Sequence, residues 1–214
     1  MTERTSPHST TPSPEGMLVL LRHGETEWSR THRHTGLTDV PLTCEGEAAA
    51  RRSATLLAGR HIVRVVVSPY QRAQRTAELS GLTELGVPTS SDDRLREWDY
   101  GGYEGLTTPE IREQLGHDWT VFDDGVVPGE TPGETVEQVA ARAAAVLADV
   151  QDDLAHGDVA LVAHGHLLRV LASVHLREEP RMGAKLLLDP GAVCLLGREH
   201  GVPVIVRWNQ TASG

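Results

Sequence analysis

Leu18-Val19-Leu20-Leu21-Arg22-His23-Gly24-Glu25-Thr26-Glu27-Trp28 is a short apolar run that stops on an Arg-His-Gly triplet. An apolar run without polar alternation, closed by a glycine, reads as a strand buried on both faces of an α/β sheet. In such sheets ligands bind beyond the C-terminal strand ends, so Arg22 and His23 stand where chemistry is expected. Val159-Ala160-Leu161-Val162-Ala163 has the same form and runs into His164-Gly165-His166. Two parallel strands ending on one edge would bring His23 and His164 together from distant parts of the chain.

Working outward, residues 1–16 are rich in Ser, Thr and Pro without hydrophobic period and read as a disordered tail; 17–214 read as one domain. Trp28 to Pro41 reads as a polar loop. Its His32 and His34 lack a cysteine or paired carboxylate to complete a metal site, so neither metal nor other cofactor is expected. Thr43 is placed as the N-cap of an alanine-rich helix closed by Gly59, and Ile62 to Val67 as a second buried strand. Ser68-Pro69 is expected to cap the helix Tyr70 to Leu79, with Arg72 in its first turn at the same sheet edge. The glycine-rich, aromatic segment Arg94 to Gly105 is a loop carrying Glu97 and Glu104. Thr108-Pro109 is expected to cap a helix ending at Leu115, and Thr135 with Gln138 to form a capping box for a long helix whose apolar face runs to 154. His166 to Leu176 reads as the next helix, and 192–196 with 203–208 as an edge hairpin. The expected fold is a three-layer α/β/α sandwich with a mostly parallel, doubly wound sheet and an antiparallel edge hairpin.

The 214 residues suit one good-sized α/β domain. A net charge of -10 with no basic patch argues against nucleic acid or an anionic membrane as partner. No apolar run approaches the roughly 18 residues of a membrane span, and 1–16 lack the core of a signal peptide, so a cytoplasmic location is expected. Cys44 and Cys194 sit in unrelated segments and read as free thiols. An edge hairpin can be solvated or pair with a second copy, which leaves a homodimer as one alternative.

Arg22, His23, Arg72, His164 and Glu97 are the side chains expected to converge. Two guanidiniums beside an imidazole suit a phosphoryl group, because Arg offers planar forked donors and stays charged. A helix N-terminus at Gly24 or Gly165 would add backbone N–H donors. An imidazole nitrogen can accept the phosphoryl group covalently, and Glu97, in a dry aromatic setting beside Trp98, could hold a proton for the leaving oxygen. Glu104 reads equally as a loop hydrogen-bonder or a catalyst.

Leu20-Leu21-Arg22-His23-Gly24-Glu25-Thr26, the segments 68–77 and 97–105, and Ala163-His164-Gly165-His166 together resemble the histidine phosphatase superfamily, over about Met17 to Trp208. The resemblance implies a phosphorylated nucleophile at His23, a phosphate pocket from Arg22, Arg72 and His164 with Gly165 beside it, and a proton donor at Glu97. Ser29, Thr35 and Gly36 would line the substrate entrance as in the mutase branch. Mutases of the family resemble one another in an Asn where this chain has Ser29, in His-Gly-Asn where it has His164-Gly165-His166, and in paired arginines after the Glu97 loop. Here 103–134 carries eight acids against Arg112, a lid expected to repel a phosphoglycerate carboxylate. The implied activity is metal-independent hydrolysis of small phosphorylated metabolites, such as sugar phosphates, through a phosphohistidine. A phosphoglycerate mutase-type transferase is the runner-up, and a silent phosphate-binding module the third reading.

Overall fold

A computed structural model describes residues 16–212. Most of the expected tail, 1–15, lies outside the described residues. Gly16 already belongs to the domain, its N–H donating to Leu154 O at 2.7 Å. One mixed sheet of six strands has the order β3-β2-β4-β1-β5-β6. These strands are β1 (Leu18–Arg22), β2 (Ile62–Val67), β3 (Thr89–Ser91), β4 (Asp158–Ala163), β5 (Val193–Glu199) and β6 (Val202–Gln210). β1, β2, β3 and β4 pair in parallel, while β5 runs antiparallel to β1 and forms the edge hairpin with β6. The expected sandwich is thus observed.

Side chains alternate across each buried strand, so β1 and β4 feed two cores. Leu18, Leu20, Val159, Leu161 and Ala163 pack with α5 (Val136–Asp149) and α6 (Gly165–His175). Val19, Leu21, Ala160 and Val162 face the opposite layer, α2 (Cys44–Leu57) and α3 (Gln71–Leu79). α1 (Glu27–Arg30) and α4 (Thr108–Leu115) lie in the connections over the sheet edge.

Several local readings shift. Ser68 does not cap α3; the N-cap is Tyr70, without a side-chain bond, and the Asp39 carboxylate accepts from Gln71 N at 3.0 Å instead. α4 is capped by Thr107 rather than Thr108, because Thr107 has Glu110 three residues on to complete the box. The Thr135–Gln138 box is present, but α5 stops at Asp149 and the chain turns through Asp153–Ala155. α6 starts at Gly165, one residue early. The loop after β1 holds the single turn α1, whose Thr26 cap bonds Ser29, and the short exposed β3 was not foreseen. Cys44 is exposed, Cys194 buried, and neither is bridged.

Leu161, wholly buried at the centre of β4, should cost about 2–5 kcal/mol in urea unfolding when truncated to Ala. Leu187→Ala, at a site 69% exposed, should stay within about 0.5 kcal/mol of wild type.

Candidate active site

β1 and β4 are paired in register, Arg22 opposite Ala163, so the next residues, His23 and His164, leave the sheet side by side. Their ring centroids are 5.1 Å apart. His23 Nδ1 lies 2.7 Å from Gly24 O, an acceptor, so Nδ1 carries the hydrogen and Nε2 the lone pair. Burial, reinforced by Arg72 and Arg22, holds His23 well below the usual imidazole range, so it is neutral near pH 7. His164 is pushed the same way, by burial first and Arg72 second. Arg72 Nε donates to His164 Nδ1 at 3.2 Å, which leaves His164 Nε2–H to donate to Ser68 Oγ at 2.7 Å. The Ser68 hydroxyl expected at a helix cap therefore orients an imidazole.

Arg22 and Arg72 flank the histidines differently. Arg22 Nη1 donates to Leu188 O, its guanidinium lies against Gly165, and its buried Nε has no hydrogen-bond partner among the described residues. A side chain at Gly165 would stand 3.2 Å from that guanidinium, which is why glycine opens α6. Arg72 is wholly buried and spends its Nη donors on Thr38 O at 2.9 Å and Gly36 O at 3.1 Å. Burial draws both arginines below their usual value, and Glu97 is the largest opposing influence on each.

Glu97 is buried, but its surroundings are not the purely aromatic setting expected. Its Oε1 accepts from Trp98 N and Leu167 N, each at 2.9 Å, and Oε2 from His166 N at 3.0 Å. The N-terminal turn of α6 thus holds this carboxylate. Arg142 on α5 fixes the backbone beneath it, donating to Arg94 O, Arg96 O and Glu97 O while paired with Glu134. The expected helix N-terminus at Gly24 is absent: Gly24 N donates to Thr76 Oγ1 at 3.0 Å. A Cβ on Gly24 would lie 2.3 Å from Gly46 O, so this glycine serves the close approach of α2.

Arg22, His23, Glu97, Gly165, Ser29 and Thr35 line one cavity of about 170 Å³. Arg72 and His164 lie wholly buried and outside its lining, and Gly36 also stands back from it. The Ser29 hydroxyl is engaged with Thr26 N and O. Sequence reasoning missed the rest of the wall, chiefly His34, Tyr100, His166, Arg169 and Arg33. The Tyr100 hydroxyl lies 2.5 Å from His166 Nδ1, and burial raises Tyr100 so that it keeps its proton and donates. Arg169, held over Phe122 by Gly183 O and Ala184 O, has no carboxylate partner among the described residues. His34 contacts Tyr100 and Trp119, and burial lowers it to about 4.

The acidic lid is also corrected. None of its eight acids lines the cavity, where Glu97 is the one carboxylate. Glu110 caps α4, Glu134 pairs with Arg142, and Glu104 binds loop amides. Capping, pairing and loop bonds thus engage Glu104, Glu110 and Glu134, three of the charges that composition alone placed over the site.

A sheet between two helical layers that sets two imidazoles, the buried Arg72 and the half-buried Arg22 at one strand edge defines a class of phosphoryl-handling α/β proteins. The model of the histidine phosphatase superfamily (branch 1) matches residues 18–211, and the chain belongs to that family. It is 40% identical to an acid phosphatase of Mycobacterium tuberculosis over 86% of this chain and 88% of that protein. It is 34% identical to the sedoheptulose 1,7-bisphosphatase of Saccharomyces cerevisiae, over 76% and 68% respectively. The solved structure of an open reading frame from Mycobacterium tuberculosis superposes with a TM-score of 0.83 at 36% identity, covering 92% of this chain and 99% of that one. Among the described residues no helix is long and apolar enough to cross a membrane.

His23, His34, His164 and His166 are all lowered by burial, so the unfolded chain binds more protons than the folded one below about pH 6.5. Their stabilisation is present above pH 6.5 and is lost as pH falls. The difference between 6.5 and about 4 at His34 corresponds to roughly 3 kcal/mol. Urea unfolding from pH 7 to 4 should show this decline, and His34→Phe should make it shallower.

Proposed function

We propose that the protein is a metal-independent phosphomonoesterase that hydrolyses small phosphorylated metabolites through a phosphohistidine at His23. The observation that carries this reading is the fixed tautomer of His23, with Nδ1 committed to Gly24 O, beside an Arg22 whose buried Nε–H has no partner among the described residues. A neutral, oriented imidazole next to such a cationic donor suits attack on a phosphoryl group rather than storage of a charge.

In the first step His23 Nε2 attacks phosphorus and the ester P–O bond breaks. Arg22, with the Gly165 N–H, faces the phosphoryl oxygens, and Arg72, buried behind His164, adds its charge without a direct bond. Glu97 gives its proton to the departing oxygen; Oε2, with a single N–H partner, has the capacity to carry it. In the second step the Glu97 carboxylate takes a proton from water, the water oxygen attacks phosphorus, and the P–N bond breaks. Phosphate leaves, and His23 and Glu97 return to their starting protonation. His164, held by Arg72 and Ser68, packs against the His23 ring from behind.

The phosphatase relatives support hydrolysis, and a polar wall of Tyr100, His166, Arg33 and Arg169 suits a hydroxylated or anionic leaving group such as a sugar phosphate. Arg33 and Arg169 also keep the mutase-type reading in view, since none of the acids of 103–134 lines the cavity beside them. Labelled substrate separates the two: release as inorganic phosphate supports hydrolysis, and retention on an organic product supports transfer.

A phosphoramidate survives alkali and breaks down in acid. Wild-type protein denatured in mid-turnover should therefore carry alkali-stable label that is absent from His23→Ala, whose turnover should fall to background. Glu97→Gln should slow single-turnover phosphorylation by sugar phosphates about 10²–10⁴-fold, while nitrophenyl phosphate, with its good leaving group, slows far less. Equal slowing of both in that step would remove Glu97 from the role.

A further inference from the structure

We infer that Glu104 is a positioning residue for Arg72, acting through the 35–38 loop and thereby setting phosphate affinity. This rests on the phosphatase reading above, but its structural basis is independent. The two faces of the loop bind opposite charges. On one, Arg72 donates to Thr35 O at 3.4 Å, Gly36 O at 3.1 Å and Thr38 O at 2.9 Å. On the other, the Glu104 carboxylate accepts from Gly36 N at 2.9 and 3.0 Å and from Thr38 N at 3.1 Å.

The peptide unit joining Thr35 and Gly36 spans both charges, its N–H to Glu104 and its C=O to Arg72. It therefore works as a dipole-bridged ion pair one peptide thick, in which each charge orients the group the other holds. Gly36 is required there, because a Cβ would lie 2.5 Å from Trp98 O and 2.7 Å from Glu104 Oε2. Arg72 is wholly buried and passes the arrangement on through Nε to His164. Glu104 itself lines a separate cavity with Leu37 and Thr38, so it does not reach the cavity where His23 lies. The carboxylate therefore acts on the guanidinium and not on the leaving group.

Removing the carboxylate should loosen the loop and misaim Arg72. Losing hydrogen bonds to a charged group shifts an equilibrium by about 10–100-fold. In Glu104→Ala the dissociation constant of orthophosphate and the KM for nitrophenyl phosphate should rise about tenfold, and kcat should change less. Glu104→Gln retains an acceptor oxygen and should recover most of that affinity. In an Arg72→Lys background, Glu104→Ala should add little, because both changes break one linkage. Amide exchange at Gly36 and Thr38 should accelerate in Glu104→Ala.

Unchanged phosphate affinity in Glu104→Ala, or full additivity with Arg72→Lys, would overturn the inference. Wild-type protein that turns over no phosphate ester would remove the phosphatase reading, whereas the loop linkage is judged separately by exchange and orthophosphate binding. Exchange at Gly36 and Thr38 equal to wild type in both Glu104 variants would defeat it whatever the activity.

Discussion

The parallel pairing of β1 with β4, register Arg22 to Ala163, is the contact on which the site depends. Both strands lie in the middle of the sheet, flanked by β2 and β5, so each is buried on both faces and neither can slip without moving apolar side chains into the wrong layer. That constraint delivers His23 and His164 together with a separation fixed by strand spacing. It also lets α6 begin at once after His164, so that its first N–H groups meet Glu97. A one-residue change in this register would separate the imidazoles and withdraw the helix turn from the carboxylate.

Burial then decides the charge state of the site. His23, His164 and His166 are held neutral chiefly by desolvation, while Arg22 and Arg72 keep their charge beside Glu97. Neutral imidazoles beside fixed cations form a consistent set for an incoming anion, since a charged imidazole would lack its lone pair. The cost is paid in acid, where the same burial makes the folded state vulnerable. Support comes from side chains outside the cavity: Ser68 orients His164, Arg142 braces the backbone under Glu97, and Glu104 and Arg72 hold the 35–38 loop between them.

Much of this was legible in the residues. Continuous apolar runs at 18–21 and 159–163 specify doubly buried strands, and an Arg-His-Gly or His-Gly-His ending marks where each leaves the sheet. The capping box at Thr135 was legible because its reciprocal bonds join residues three apart. Ser68 was misread by the same local logic, since a Ser-Pro pair has the form of a cap and nothing nearby announces that an imidazole claims the hydroxyl. The eight acids of 103–134 were likewise read by composition, which counts charges but does not show where they point.

What the sequence alone determined was therefore the α/β class, the two strand ends and the residue types gathered there, because hydrophobic period and local capping depend only on near neighbours. Tertiary structure decided which nitrogen of His23 is committed, which oxygen of Glu97 has capacity left, and that His34, Tyr100, His166 and Arg169 share the wall. It decided too that Arg72 faces a loop and Glu104 lies behind it. These outcomes depend on hydrogen bonds and burial between segments far apart in the chain, and such contacts leave no period or spacing in the sequence to be read.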